Sequence, residues 1–441
     1  MSLKRITSCR KEKTVLVTKK ITAPVKELGG VNCAPYNQRA GADQTRIRDF
    51  FNYLGIPRSR LHDCCGKWGG TYFVDVPNIF RDFDADETKE ENYDFHYSDE
   101  YITAIIETGA SVVYRLGITI EWGSKKYTSV PPKDFAKWAR ICEHIIMHYN
   151  EGWANGFNYG IEYFEIWNEP ENPPMWQGTK EEFFELYRVS SKYLRSKYPN
   201  IKIGGYGSSG MYAAFIDGMS DFYKSFPIWF VDFLEMAKRE GCPLDFFSWH
   251  IYTDDLSHII KSAQFVREKL DEYGFFNTES HLNEWNYGAE GKQFEDKDTM
   301  VGASFVAAAF ALMQAAPVDL AQYYVASQPS VYNGLLYMRS GGYTPVAHVF
   351  SKFNKMFRSE GALEIVSNTS EPYAIAAKDG DTSHVLISSY RKNADSVKLQ
   401  MPGKRMKIYG LSDGGFGFLY DAEDEMRLPT SQYTVYYVEA K

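Results

Sequence analysis

The strongest constraint on this chain is an eightfold alternation of short apolar runs with longer amphipathic ones between about residues 28 and 350. The short runs fall at 28–33, 56–62, 111–116, 163–167, 201–206, 246–251, 280–284 and 320–325. They are brief and rich in β-branched and aromatic residues, as buried strands are. The stretches between them repeat at helical period over 44–54, 99–108, 132–149, 180–197, 228–239, 257–273, 300–315 and 346–356. Gly55 and Gly109 stop two of these helices, and Thr179 with Glu182 forms a capping box that opens another, with Pro199 just beyond its end. Eight strands, each followed by a helix, predict a (β/α)8 TIM barrel.

The two ends of the chain read differently. The runs 373–377, 384–390, 396–400, 406–411 and 433–438 are separated by Gly, Asp and Asn turns, as in a small antiparallel β-sandwich. The strand-like run 14–18 is expected to join it. The expected division is therefore 1–27 as an N-terminal segment of the sandwich, 28–356 as the barrel and 357–441 as the C-terminal sandwich. The charged stretch 421–427 reads as an exposed turn.

A length of 441 residues with 44% hydrophobic content accommodates one large domain and one small one. The 16% aromatic content suits a carbohydrate-binding protein, although large cores use aromatics too. A formal net charge of −8 and the lack of an extended basic stripe argue against a nucleic-acid partner. The apolar run 300–316 is interrupted by Gly302, Ser304 and Gln314 and falls short of the roughly 20 residues of a membrane span, so it reads as a buried helix. The opening residues lack the apolar centre of a signal peptide. The six cysteines (Cys9, Cys33, Cys64, Cys65, Cys142, Cys242) show neither a CxxC pair nor zinc-ligand spacing. Free thiols and a cytoplasmic location are the expectation. Homo-oligomer formation is left open.

In such barrels the reacting groups sit at the carboxyl ends of the strands. Taken strand by strand these are Asn32, then Arg60 with His62 and Asp63, Arg115, Asn168 with Glu169, Tyr206, His250 with Tyr252, Glu284, and Tyr323 or Tyr324. The two carboxylates stand in Trp167-Asn168-Glu169-Pro170 and Asn283-Glu284-Trp285, each combining an aromatic ring, an amide and an acid where a strand gives way to a loop. Sugars need an apolar face to stack on, donors for their hydroxyls and two carboxyl groups of different proton affinity. Strands four and seven face each other across a barrel mouth. Two glutamates far apart in the chain can thus approach to the roughly 5–5.5 Å of a retaining glycosidase.

Ile166-Trp167-Asn168-Glu169-Pro170, His250-Ile251-Tyr252 and Asn283-Glu284-Trp285 resemble the pattern of clan A retaining glycoside hydrolases. Arg60-Leu61-His62, and the stretch from Gly334-Leu335-Leu336 through Tyr343-Thr344-Pro345-Val346-Ala347, are similar to glycoside hydrolase family 39. That family contains β-xylosidases and α-L-iduronidases. The resemblance implies a barrel beside a small β-sandwich, no metal or organic cofactor, and a carbohydrate substrate. It implies Glu169 as general acid/base, Glu284 as nucleophile, Asn168 on the sugar 2-hydroxyl, Tyr252 orienting the nucleophile, and His62 and His250 lining the sugar subsite.

Two positions depart from the family pattern. Arg115 stands where an acidic residue is expected, and either reads a substrate carboxylate or pairs with Glu121 or Asp63. Tyr323-Tyr324 stands where Trp is common, with Tyr324 as the candidate floor of the subsite. Trp122, Trp167, Trp176 and Trp285 are candidate sugar platforms, Trp285 foremost. The expected function is a retaining exo-glycosidase of β-xylosidase type acting on short oligosaccharides. An α-L-iduronidase-like or α-L-arabinosidase-like enzyme and a non-catalytic carbohydrate-binding barrel are the alternatives. A metal-dependent hydrolase would need more than His62 beside Asp63.

Overall fold

The computed structural model describes residues 12–33, 44–62, 64, 74–118, 129–173, 175–288, 295–326, 332, 334–337, 342–391 and 394–441. Cys9, Asp63, Cys65, Glu121 and Trp122 lie outside the described residues. After β1 (Thr14–Ala23) the chain enters eight parallel strands that close into a barrel. These are β2 (Glu27–Asn32), β3 (Arg58–Arg60), β4 (Ser111–Leu116), β5 (Tyr163–Ile166), β6 (Lys202–Ser208), β7 (Phe246–Thr253), β8 (Glu279–Tyr287) and β9 (Leu320–Tyr323). Each of the eight predicted runs is a strand. β7 and β8 reach past residues 251 and 284 because their ladder continues through Ile251↔Trp285, Tyr252↔Asn286 and Thr253↔Tyr287.

The surrounding helices follow the predicted periodicity with one clear extension. The helix expected over 228–239 begins at Asp221 and runs to Glu240 with Pro227 inside it. It starts about two turns earlier than the sequence pattern suggests, with buried Phe226 and Pro227 continuing toward the N-terminus the apolar stripe of Phe230 and Phe233. The helix Met300–Ala315 is buried along most of its length, because the barrel lies on one side and the C-terminal sheet on the other. Ser388 Oγ donates to Ser304 O at 2.7 Å, and the Tyr390 ring meets Phe305 at 5.5 Å. No helix among the described residues is long and apolar enough to cross a membrane.

The second unit is one sheet of seven strands ordered β1-β10-β11-β12-β15-β13-β14, with β10 (Gly361–Ser367), β11 (Tyr373–Asp379), β12 (Thr382–Ser389), β13 (Ala394–Ser412), β14 (Gly415–Thr430) and β15 (Thr434–Ala440). The runs expected as separate strands at 396–400 and 406–411 are a single bent strand, β13. Its first part runs parallel to β1 and its second pairs antiparallel with β15, which wraps the sheet around Val15, Val17, Ile387, Leu399, Ile408 and Val438. The stretch 421–427, read from sequence as a turn, belongs to β14. Its charges are answered across the ladder by Arg405–Glu423 at 3.1 Å and Lys398–Glu425 at 2.9 Å, so an exposed strand can carry them.

Within the barrel, residues two apart on a strand point inward at successive heights. Val113, Tyr163 and Phe246 form the lowest layer, with His281 stacked on Phe246 at 4.6 Å. Beside them Glu279 accepts from Tyr163 Oη at 3.0 Å and from Lys202 Nζ, and lies 2.9 Å from His281 Nε2. Burial alone would raise the Glu279 carboxyl; His281 and Lys202 outweigh it and bring it down to about 2. A carboxyl depressed by folding stabilises the protein above its unfolded value and loses that contribution as pH falls through the folded one. Glu279→Gln should therefore cost about 2 kcal/mol at pH 7, after allowance for the partial exposure of the site. The difference in urea midpoint from the parent should shrink as pH is lowered from about 4.5 toward 2. A difference that stays constant with pH contradicts this assignment.

Candidate active site

One layer above, Arg60 lies fully buried in the barrel interior. Its Nε donates to Glu165 Oε2 at 2.7 Å, Nη1 to Asn32 Oδ1 at 3.1 Å and to Glu284 Oε2 at 3.2 Å, and Nη2 to Asn168 Oδ1 at 2.6 Å. Glu165 is held further by Ser248 Oγ at 2.6 Å and Asn283 Nδ2 at 2.7 Å. Burial would raise the Glu165 carboxyl, yet Arg60 with these donors holds it below its ordinary value. Burial would likewise strip the charge from Arg60, and Glu165 and Glu284 keep it. The ion pair is thus a fixed polar floor beneath the mouth.

Both glutamates are aimed by local backbone features. On β8 the ladder to β7 slips, pairing Trp249 with Leu282 but His250 with Glu284. This bulge lets consecutive residues Asn283 and Glu284 both reach the interior, where a regular strand would send one of them out. On the other side, Trp167 (φ 72°) and Glu169 (φ 46°) adopt left-handed backbone around Asn168. Such a conformation costs a non-glycine residue roughly 1–2 kcal/mol and needs support. It comes from Trp167 N to Leu116 O at 2.7 Å, Glu169 N to Tyr206 O at 2.9 Å and Trp167 Nε1 to Met175 O at 3.0 Å. On the neighbouring β6, Gly207 (φ 68°) leaves room for this turn, since a Cβ there would lie 3.0 Å from His250 Nε2 and 3.1 Å from Asn168 Oδ1.

The site therefore assembles Glu169, His250 and Glu284, one ligand-type atom of each lying within 4.8 Å of the others. His250 Nδ1 is 2.6 Å from Glu169 Oε1 and 3.7 Å from Glu284 Oε2. Asn172 Nδ2 donates to Glu169 Oε2 at 3.1 Å, and Tyr252 Oη donates to Glu284 Oε1. His62 Nε2 stands 3.8 Å from Glu284 Oε2. Burial pushes the Glu284 carboxyl up, and Glu169 adds to the rise, while His250, Arg60 and Tyr252 pull it back. Burial opposes charge on His250, but Glu284 and Glu169 outweigh it and raise the imidazole. His62 is driven well below its usual range by burial and by Arg60, Arg115 and His250, which keeps it neutral. Among the described residues Glu169, His250 and Glu284 are the one group with metal-ligand proximity. The Arg60 guanidinium 3.2 Å from Glu284 works against a cation there.

Of the residues expected at the site, Glu169, Glu284, Asn168, His62, His250 and Tyr252 converge as described. Tyr324 joins them, its ring 6.0 Å from His62 and 6.4 Å from Tyr252. Asn168 Nδ2 is buried and has no partner among the described residues, so it keeps a donor to spend. Trp285 does not line the mouth. With Glu284 turned inward, the next side chain on the strand points outward, and Trp285 is fully buried against Phe305, Phe310 and Tyr323. Trp167 and Trp176 are also core residues. Arg115 is fully buried and donates from Nη2 to Asp75, a partner the sequence did not suggest.

A family model for glycosyl hydrolases family 39 matches residues 54–325, more than half of the chain. The chain belongs to that family. Its β5 and β8 ends are where the two glutamates of this member meet. A β-xylosidase of Geobacillus stearothermophilus is 25% identical over 238 residues, which is 51% of this chain and 43% of that protein. The match to a second β-xylosidase, from Caldicellulosiruptor saccharolyticus, spans 41% of its length, so less than half of either relative is matched. Among solved structures, a glucosidase from Croceicoccus marinus superposes with a TM-score of 0.78 at 19% identity, covering 98% of this chain and 99% of its own. A monomeric β-xylosidase from Caulobacter crescentus superposes with a TM-score of 0.72 at 15% identity, covering 97% and 99%. These likenesses establish a common fold.

Glu165 and Ser248 were not foreseen from the sequence, and Arg60 and Asn283 were noted there without a role. The available signal was a charged residue inside an apolar strand, Glu165 in Tyr163–Ile166, matched by Arg60 ending another. Arg60→Met should lower stability by about 3–5 kcal/mol, because Glu165 is left buried and unpaired. Adding Glu165→Gln should return a large part of that loss. Urea unfolding of the two variants checks this; equal destabilisation of single and double variants contradicts it.

Proposed function

We propose that this family 39 member is a retaining exo-glycosidase of β-xylosidase type that removes a terminal sugar from short oligosaccharides. The observation that carries the reading is that one carboxylate oxygen of Glu169 and one of Glu284 lie within 4.8 Å of each other. Such an approach suits the roughly 5–5.5 Å between the carboxyl groups of retaining pairs better than the roughly 6.5–9.5 Å that leaves room for water in inverting ones. Arg60 and Tyr252 each donate to one oxygen of Glu284, the arrangement that suits a carboxylate nucleophile. Glu284 attacks the anomeric carbon while Glu169 gives its proton to the departing glycosidic oxygen. A covalent glycosyl ester on Glu284 results. Glu169, now a carboxylate, takes a proton from water, the hydroxide adds to the anomeric carbon, and Glu284 leaves. The free donor of Asn168 is the group for the sugar 2-hydroxyl.

The sugar is assigned from the relatives named as β-xylosidases. Arg115 is engaged by Asp75, so it does not by itself argue for a uronic acid. The test is nitrophenol release from a panel of aryl glycosides: β-xyloside, α-L-arabinosides, β-glucoside, β-galactoside and an α-L-iduronide. The β-xyloside should be turned over fastest, and Glu284→Gln should reduce the rate by at least about 10⁴-fold. Hydrolysis that survives Glu284→Gln overturns the mechanism, and preference for another sugar overturns the substrate.

A further inference from the structure

Asn286 takes no part in the chemistry above, yet it is almost completely buried two residues beyond Glu284 and uses its whole amide. Nδ2 donates to Tyr324 O at 2.7 Å and to Tyr332 O at 2.6 Å. Oδ1 accepts from Tyr323 Oη at 2.5 Å and from Tyr287 N at 2.6 Å. One side chain thereby ties the nucleophile's strand to the end of β9 and to the chain that follows it. The rings so fixed belong to one small cluster at the mouth. Tyr332 packs on Tyr252 at 5.1 Å and on Tyr324 at 5.4 Å, both rings being half-buried or less exposed than that. Tyr252 is the donor to Glu284, and Tyr324 faces His62. A wall of three aromatic rings beside the nucleophile is a surface for the apolar face of a sugar, and its shape depends on where two backbone carbonyls are held.

We propose that Asn286 is a positioning residue that seats Tyr324 and Tyr332 as an aromatic wall of the sugar subsite, and that Tyr332 is a specificity-determining contact for the terminal pyranose. The proposal rests on the glycosidase reading. Tyr332 was not singled out in the sequence, because it lies beyond the strand end where rim residues are sought.

The experiment compares steady-state hydrolysis of the preferred aryl glycoside by the parent, Tyr332→Ala, Tyr332→Phe, Asn286→Asp and the Asn286→Asp/Tyr332→Ala double variant. Asn286→Asp keeps an acceptor for Tyr323 and Tyr287 but turns an oxygen toward the two carbonyls that the amide had held. Tyr332→Ala should raise KM about fivefold with a smaller change in kcat, the scale of one aromatic contact. Tyr332→Phe, which keeps the ring, should recover most of that loss. Asn286→Asp should raise KM by at least as much and also lower kcat, since Tyr252 loses its packing. The double variant should be little worse than Asn286→Asp alone, because both changes remove the same wall. An unmoved KM in Tyr332→Ala, or additive effects in the double variant, overturns the proposal. So does an Asn286→Asp variant that melts earlier while its KM stays that of the parent, for that is a purely structural role. A parent inactive on every glycoside overturns the glycosidase reading and this inference with it, whereas an active parent with indifferent Tyr332 variants overturns this inference alone.

Discussion

The site rests on a buried ion pair. Arg60 and Glu165, both fully excluded from solvent in the barrel interior, lie 2.7 Å apart and between them engage Asn32, Asn168, Ser248, Asn283 and Glu284. Taking both charges out of water is expensive, and a hydrophobic pair of the same volume would often be the more stable choice. What the pair supplies instead is direction. A guanidinium with its donors in a fixed fork can hold one oxygen of Glu284 and the carbonyl of Asn168 at set positions, which a lysine could not do. The nucleophile and the sugar-binding amide are thereby indexed to one rigid group.

Two backbone irregularities then complete what the ion pair begins. The bulge at Asn283 places an anchor to the floor and a reacting carboxylate on adjacent residues, and the left-handed turn at Trp167 and Glu169 swings the second carboxylate over the same point. The turn lies just beyond the end of β5, while the bulge sits within β8, whose pairing with β7 resumes at His250↔Glu284 and holds to Thr253↔Tyr287. The layers below are ordinary by comparison: packed rings around Tyr163 and Phe246, and the Glu279 cluster at the entry of the strands.

Much of this was legible in the chain. The alternation of periods was enough to place eight strands, and the residues expected near their ends included Glu169, Glu284, Asn168, His250 and Tyr252, although β7 and β8 run on to Thr253 and Tyr287 because the ladder between them continues. Side-chain direction was not legible. Trp285 looked like a sugar platform because it follows a reacting glutamate; the bulge that turns Glu284 inward sends Trp285 onto Phe305 and Phe310. Arg115 was expected either to read a substrate carboxylate or to pair with Glu121 or Asp63, because Asp75, which accepts from it, is 40 residues away in a connection whose path no periodicity describes. The charges of 421–427 resembled a turn because cross-strand partners such as Arg405 are invisible until register is known.

A retaining mechanism depends on the closeness of the two carboxylates, and the direct test is the configuration of the first product. Proton NMR of the anomeric region during the first minutes of hydrolysis, before mutarotation, distinguishes the two outcomes. Release of the sugar with the anomeric configuration of the substrate is predicted, with the opposite anomer growing in only later. The inverted anomer appearing first would mean a water between Glu169 and Glu284 and would contradict the covalent role of Glu284.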